Sequence, residues 1–489
     1  MRVAAGFLLA NALLLTAGTG FLLGVGMLRL RAGAIAAAAG LSFLVGVALS
    51  MLIGILMLVV GVPVRFITLA AICLLIGGVG VIRAARRDGW PRFGTLGTRP
   101  RLRWKAWNWR EVSAVNVTFL VVLAALAVFI GVAVSYYKVA PAASFDDFAI
   151  WSKKALALYY FDDLKPAFFV DSTYSPMHQE YPILLPLLEA FVFRAMGKPD
   201  TQLIHLEFLV FFVAFLGALA YLAYRESRHF LWLPILVALG VAPFVHDQLA
   251  TGYADIPMSC FVALGMLSLA LWLEHGDWRQ LCLASILFAA AGSTKFEGLI
   301  AAALAFGVAG ASLLVQRQWQ ALRTAALGAA ALAILLLPWR LWVVAHPAIE
   351  SFFHPSRGFD PDYLSSHTGL PREALKLISA NVADTAQSFY IVPVALAFII
   401  FTLVARRARM PALFYLAVSL MLVAALVWVY WVDPTTWSPN RVADSLVLIA
   451  VSAIVHLSCR VPLPDDLVAA FGGRRLPRNS ACDELRAFP

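Results

Sequence analysis

Long apolar runs recur along the whole chain, separated by short clusters of charge, proline and glycine rather than by alternating polar positions. A run of about 20 apolar residues is the length of helix that crosses a bilayer core. Runs near that length cover 5–27, 33–62, 64–82, 114–135, 201–224, 230–246, 256–273, 280–293, 298–315, 324–345, 389–405, 411–431 and 442–458. The pattern predicts an all-α polytopic membrane protein with about 13 transmembrane helices. The second run is long enough to be tilted or broken near Gly54. The stretch 183–196 is apolar but short, bounded by Pro182 and the turn at 197–200, and predicts a re-entrant or interfacial helix. The first run follows Arg2, but it is long and no clear cleavage site follows, so it reads as a retained helix.

Composition agrees. The chain is 62% hydrophobic and 13% charged, against about a quarter charged in soluble domains. That excludes a cytosolic enzyme, a secreted domain and a disordered chain. The 38 Lys and Arg outnumber the 28 Asp and Glu, which in a soluble protein would raise nucleic acid as a partner. Here the surplus concentrates in one linker. Residues 83–110 carry nine basic residues and one acid, Asp88, so by the positive-inside rule the linker is cytoplasmic. Arg406, Arg407 and Arg409 mark a second inside turn, and Arg474, Arg475 and Arg478 an inside C-terminal tail. The loops 136–182 (six acids, four bases) and 346–388 (five acids, three bases) then face outside. The chain divides into a three-helix extension (1–82), a basic linker (83–113), a larger membrane module (114–458) and a tail (459–489). The expected location is the bacterial inner membrane with the outer loops in the periplasm, among membrane lipids and with no nucleic acid. Five scattered cysteines without a C-x-x-C pair predict neither a metal cluster nor a required disulfide.

The scarce outside charges are the candidate chemistry. Asp146 and Asp147 open the first outer loop. After them Ile150, Trp151, Ala155, Leu158 and Tyr159 recur at helical spacing, with Lys153 and Lys154 assigned to another face. This predicts an amphipathic helix on the outer leaflet. A carboxylate pair there can take a proton from a hydroxyl or bind a cation; it equally suits a helix N-cap. The loop ends M-H-Q-E-Y-P, where His178 and Glu180 can position a substrate or simply terminate a loop. Asp247 and Asp255 flank the next outer turn. Asp255 lies against a span, where an ionisable group is costly and usually functional; an N-cap ahead of Pro257 is the plainer reading. Lys295 and Glu297 interrupt one long apolar run, able to pair with each other or to hold a lipid phosphate. Arg441 begins the last span from the outside, suited to bidentate phosphate recognition or to an ion pair with Asp444.

In order and sidedness these motifs resemble the GT-C superfamily of membrane glycosyltransferases over about 114–458. Asp146-Asp147 stands where such enzymes carry an acidic motif in the first outer loop, which is followed by amphipathic juxtamembrane helices. His178 to Pro182 resembles their H-P-P-type re-entry signal, G-Y-A-D-I-P the second acidic motif, and T-K-F-E-G the T-K-x-x-G pattern of aminoarabinose and mannosyl transferases. S-P-N-R resembles an arginine near the donor phosphate. The chain departs from the pattern with Asp-Asp rather than the common Asp-Glu, and with residues 1–113 ahead of the module. The resemblance implies inverting transfer from a polyprenyl-phosphate-linked sugar to a hydroxyl of a glycan, lipid or protein acceptor. Asp146 or Asp147 would be the base, and Lys295 and Arg441 would bind the donor phosphate. His178, Glu180, Asp255 and Glu297 would orient substrate. No cofactor is implied; a divalent metal at Asp146, Asp147, His178 and Glu180 has ligand spacing too loose to assign. The rival readings are a lipid or glycan transporter or flippase, a scaffold of envelope assembly docked through 1–113, and an O-antigen-ligase-like transferase built on His354, Arg357, His367 and Arg372. A transporter predicts mid-bilayer charges and inverted repeats, and the sequence offers neither.

Overall fold

A computed structural model describes residues 2–89, 124, 127–136, 146–226, 232–346, 355–406, 408–432 and 439–460. Every regular element among them is helical. Among the described residues, eight helices are long and apolar enough to cross a membrane: α1 (Arg2–Gly24), α2 (Ala39–Val59), α3 (Phe66–Asp88), α4 (His205–Glu226), α5 (Asp255–His275), α6 (Phe296–Val315), α7 (Trp319–Ala345) and α8 (Arg409–Val432). A bent pair, Leu233–Gly240 and Pro243–Thr251, meets at 49° and adds a ninth if taken as one span. Pro243 has no amide hydrogen for the helix ladder, which places the bend there.

The other predicted runs are shorter described helices or lie partly outside the described residues. Trp278–Thr294 and Ile391–Val404 have 17 and 14 residues, roughly 21–26 Å at 1.5 Å per residue, below the usual length of about 20 residues. Both still run from one end of the bundle to the other: Lys295, after the first, meets Asp255 at the start of α5, and Met410, after the second, meets Gln316. The predicted span 114–135 is described only at 124 and from Ala127 to Tyr136. Most of the basic linker and nearly all of the tail lie outside the described residues. The second run is not broken near Gly54. It divides at Ala38, between the short helix Ala32–Ala37 and α2, while Gly54 makes the notch that receives Leu187.

The helix Leu184–Met196 is 13 residues long and buried at almost every position. It lies inside the bundle against α1, not on its surface. One apolar core joins α1–α3 to the later helices; α1 packs on Leu184–Met196, and α2 packs on α4 and on Trp278–Thr294. Gly18 of α1 and Gly46 of α2 let these two backbones touch, since a side chain at either would strike the other's main chain.

Contacts sort the turns into two groups. At one end, Val64 and Arg65 meet Asp162 and Arg194, and Tyr363 meets Val432. At the opposite end, Arg87 donates to the Leu28 carbonyl, Gln316 meets Met410, and Arg460 meets Glu226 and Glu274. The turns read as outside from charge fall in the first group and those read as inside in the second.

Candidate functional site

The loop expected from charge to face outside has a widened helical turn, Asp147–Trp151, in which the Ser152 amide donates to the Asp147 carbonyl. The helix Ser152–Phe161 follows. Its apolar stripe is turned to the protein, while Tyr160 and Phe161 stay exposed. Ile150, Trp151, Ala155 and Leu158 are all buried, and so is Lys154. Lys154 comes three residues after Trp151 and four before Leu158, which puts it on the apolar stripe itself. Its ammonium donates to the carbonyls of His178 and Tyr181 (2.5 and 3.2 Å) and faces the rings of Trp151 and Tyr181. Burial pushes its pKa down to about 7, with Glu180 opposing. Lys154 therefore pins the segment where the chain returns to the bundle.

That segment bends sharply. His178 holds a left-handed backbone (φ 49°), which a side chain this size adopts only under local constraint. Its ring stacks on Tyr181 at 4.6 Å, and Nδ1 lies 3.3 Å from Glu180 Oε1. Glu180 is 3% exposed, and its Oε2 is buried without a hydrogen-bond partner.

Tyr181 is the centre of the arrangement. Burial raises the pKa of its hydroxyl, Glu297, Glu180 and Asp146 push the same way, and Lys295 opposes. Asp146, Glu180, Lys295 and Glu297 thus all act on one phenol. Lys295 sits there because it is the single extended residue between Trp278–Thr294 and α6. Its ammonium donates to Asp255 Oδ1 at 2.7 Å and stands 3.3 Å from Glu297. Asp255 occupies the first turn of α5, where the helix dipole favours a carboxylate. The pair Lys295–Glu297 expected from sequence is a triad, and its closer partner is Asp255.

Sequence reasoning missed the other cation. Arg340 follows Pro338 inside α7, so it stands where the proline has already removed one ladder hydrogen bond. Its guanidinium lies 4.1 Å from the Phe296 ring centroid, and Phe296 meets Tyr181 edge-on at 5.8 Å. The neighbouring Trp339 donates to the Glu180 carbonyl at 3.2 Å. Arg340 Nη2 is buried without a hydrogen-bond partner. An arginine inside the predicted span 324–345 was the available signal, because an intramembrane charge is a functional candidate by default.

Asp147 does not join its neighbour. It is 1% exposed and accepts from Ser152 Oγ and, at 3.2 Å, from His205 Nε2. Its companions are the buried Glu189 and Glu207, two acids inside apolar runs that sequence reasoning also passed over. Asn11 of α1 donates to Glu207 Oε2 at 3.0 Å.

Of Arg441 only the backbone is described, in the first turn of Pro439–Ser458. Asp444 accepts from Gln248 and, at 3.5 Å, from Asn381. Arg357 and His367 both stack on Tyr363, which packs beside the last turn of α8; His354 lies outside the described residues. Among the described residues, no three imidazole, carboxylate or thiol groups converge as metal ligands would. No protein family, curated protein or solved structure matches the chain.

Proposed function

We propose that the chain is a membrane glycosyltransferase that moves a sugar from a polyprenyl-phosphate donor to an acceptor hydroxyl at the outer face of the membrane, with inversion. The observation that carries this reading is the gathering of Asp146, Glu180, Lys295, Glu297 and Arg340 around Tyr181 and Phe296, with Glu180 Oε2 and Arg340 Nη2 buried and unpartnered. Buried polar groups without partners are costly in a resting protein and are satisfied by what binds. A guanidinium beside an aromatic ring suits a lipid phosphate, and a carboxylate beside it suits sugar or acceptor hydroxyls.

Asp146 accepts the proton as the acceptor oxygen bonds to the anomeric carbon. The bond from that carbon to the phosphate oxygen breaks, and its electron pair leaves with the phosphate. Arg340 meets the charge that develops there. Lys295, held by two carboxylates, orients Asp255 and Glu297 and lends charge at longer range. Arg441 remains a second phosphate candidate from the sequence. His178 and Glu180 orient substrate.

The test is transfer by purified protein in lipid nanodiscs from a panel of polyprenyl-phosphate sugars. Asp146→Asn is expected to lose at least about 100-fold in rate, the usual contribution of a general base. Arg340→Ala is expected to weaken donor binding. Wild-type behaviour of both variants would overturn the reading.

A further inference from the structure

Asp146 and Asp147 are neighbours in sequence with opposite surroundings. Asp146 is half-buried and bears on Tyr181; Asp147 is sealed beneath it. Four contacts hold Asp147 there. The Ser152 amide closes the turn on its carbonyl, and Ser152 Oγ closes the same turn on Oδ1. His205 Nε2 meets Oδ2. Gly252, at φ 66°, brings its backbone so close that a Cβ would stand 2.7 Å from the Asp147 carboxyl carbon.

Charge accounting gives this group its character. Glu189 and Glu207 are fully buried beside Asp147, and neither has an ion-pair partner among the described residues. Both oxygens of Glu189, Oε1 of Glu207 and Nδ1 of His205 are buried without hydrogen bonds. Of these three buried carboxyl groups, Asp147 is the one that meets an imidazole, His205. Short loops of π-type geometry are frequent at functional sites because they re-aim a side chain.

We propose that Asp147 and His205, with Ser152 and Gly252, are positioning residues. They fix the widened turn so that Asp146 alone presents its carboxylate to the site, and Asp147 is not a second base. This rests on the reading of Asp146 above, so the decisive experiment needs no substrate. Asp146→Cys is introduced, and the modification rate at position 146 by a water-soluble maleimide is followed by peptide mass spectrometry in nanodiscs. His205→Leu in that background is expected to raise the rate severalfold as the turn loosens. His205→Gln, which keeps a donor, is expected to restore it. Ser152→Ala removes one contact without a buried ring and serves if His205→Leu does not accumulate; a smaller rise is expected. Unchanged rates in His205→Leu, or in Ser152→Ala where it stands in, would overturn the proposal, whatever the protein transfers. Where transfer is measurable, His205→Leu with Asp146 intact should lower kcat and spare KM; an equal loss in both would also overturn it.

Discussion

Two charged clusters sit at opposite ends of the bundle, and they are built differently. At the end opposite the site, Arg460 holds Glu274 with two nitrogens (2.8 Å each) and Glu226 with one (2.6 Å). His456 and His275 each bond one of those glutamates, and Tyr415 approaches His456. No side-chain atom of these six residues is buried without a partner. This cluster clasps α4, α5 and Pro439–Ser458 together. The cluster around Tyr181 and Asp147 leaves atoms of Glu180, Glu189, Glu207, His205 and Arg340 unsatisfied. A completed network serves the fold; an incomplete one is poised for a ligand or for protons.

The sharpest way to break that comparison is stability. Arg460→Ala should cost about 3 kcal/mol, because it strands two partly buried carboxylates. Glu180→Gln should cost less than about 1 kcal/mol, since Lys154, whose charge Glu180 supports, keeps its two carbonyl acceptors. Thermal unfolding in nanodiscs measures both, and the reverse order would remove the distinction between the clusters. Next in size, Gly252→Ala should lose about 1–3 kcal/mol, because it forces a side chain into the left-handed region and against Asp147. The same measurement reads it, and a neutral result would show that the backbone there can retreat. Arg340→Lys should raise the donor KM about tenfold while leaving unfolding unchanged, since a point charge replaces a planar fork.

The smallest effect is a pH slope. Lys154 loses its proton near pH 7 in the folded protein but near its ordinary value of 10.5 when unfolded. Between those values the unfolded chain binds the extra proton, so stability rises with pH through that window. Lys154→Met should flatten the rise, as chemical unfolding across that range would show.

The architecture was legible because lipid admits few solutions: apolar runs imply helices, and basic turns imply a side. The end-to-end sorting of the turns agrees with the charge counts, in which the basic linker and the Arg406–Arg409 turn weigh most. The lengths of the helices were not legible. Hydropathy reports that Trp278–Thr294 is apolar, not that it is a helix of only 17 residues. Asp255, Lys295 and Glu297 stood out as charges between apolar runs, and they do meet. Lys154 was hidden by the assumption that a charge within an apolar pattern belongs to another face, and Glu189, Glu207 and Arg340 by lying inside runs read only for their hydropathy. Nothing in D-D distinguishes the outward acid from the inward one; that depends on His205 and Gly252, which approach from 58 and 105 residues away.

The hydrogen bond from Asn11 to Glu207 bears on how the gene can be cut. Deleting the chain up to and including the basic linker would strip a donor from Glu207 and open one wall of the core. The first three helices are thus a structural subunit supplied in cis. Co-production of residues 1–89 as a separate polypeptide should restore what their deletion removes.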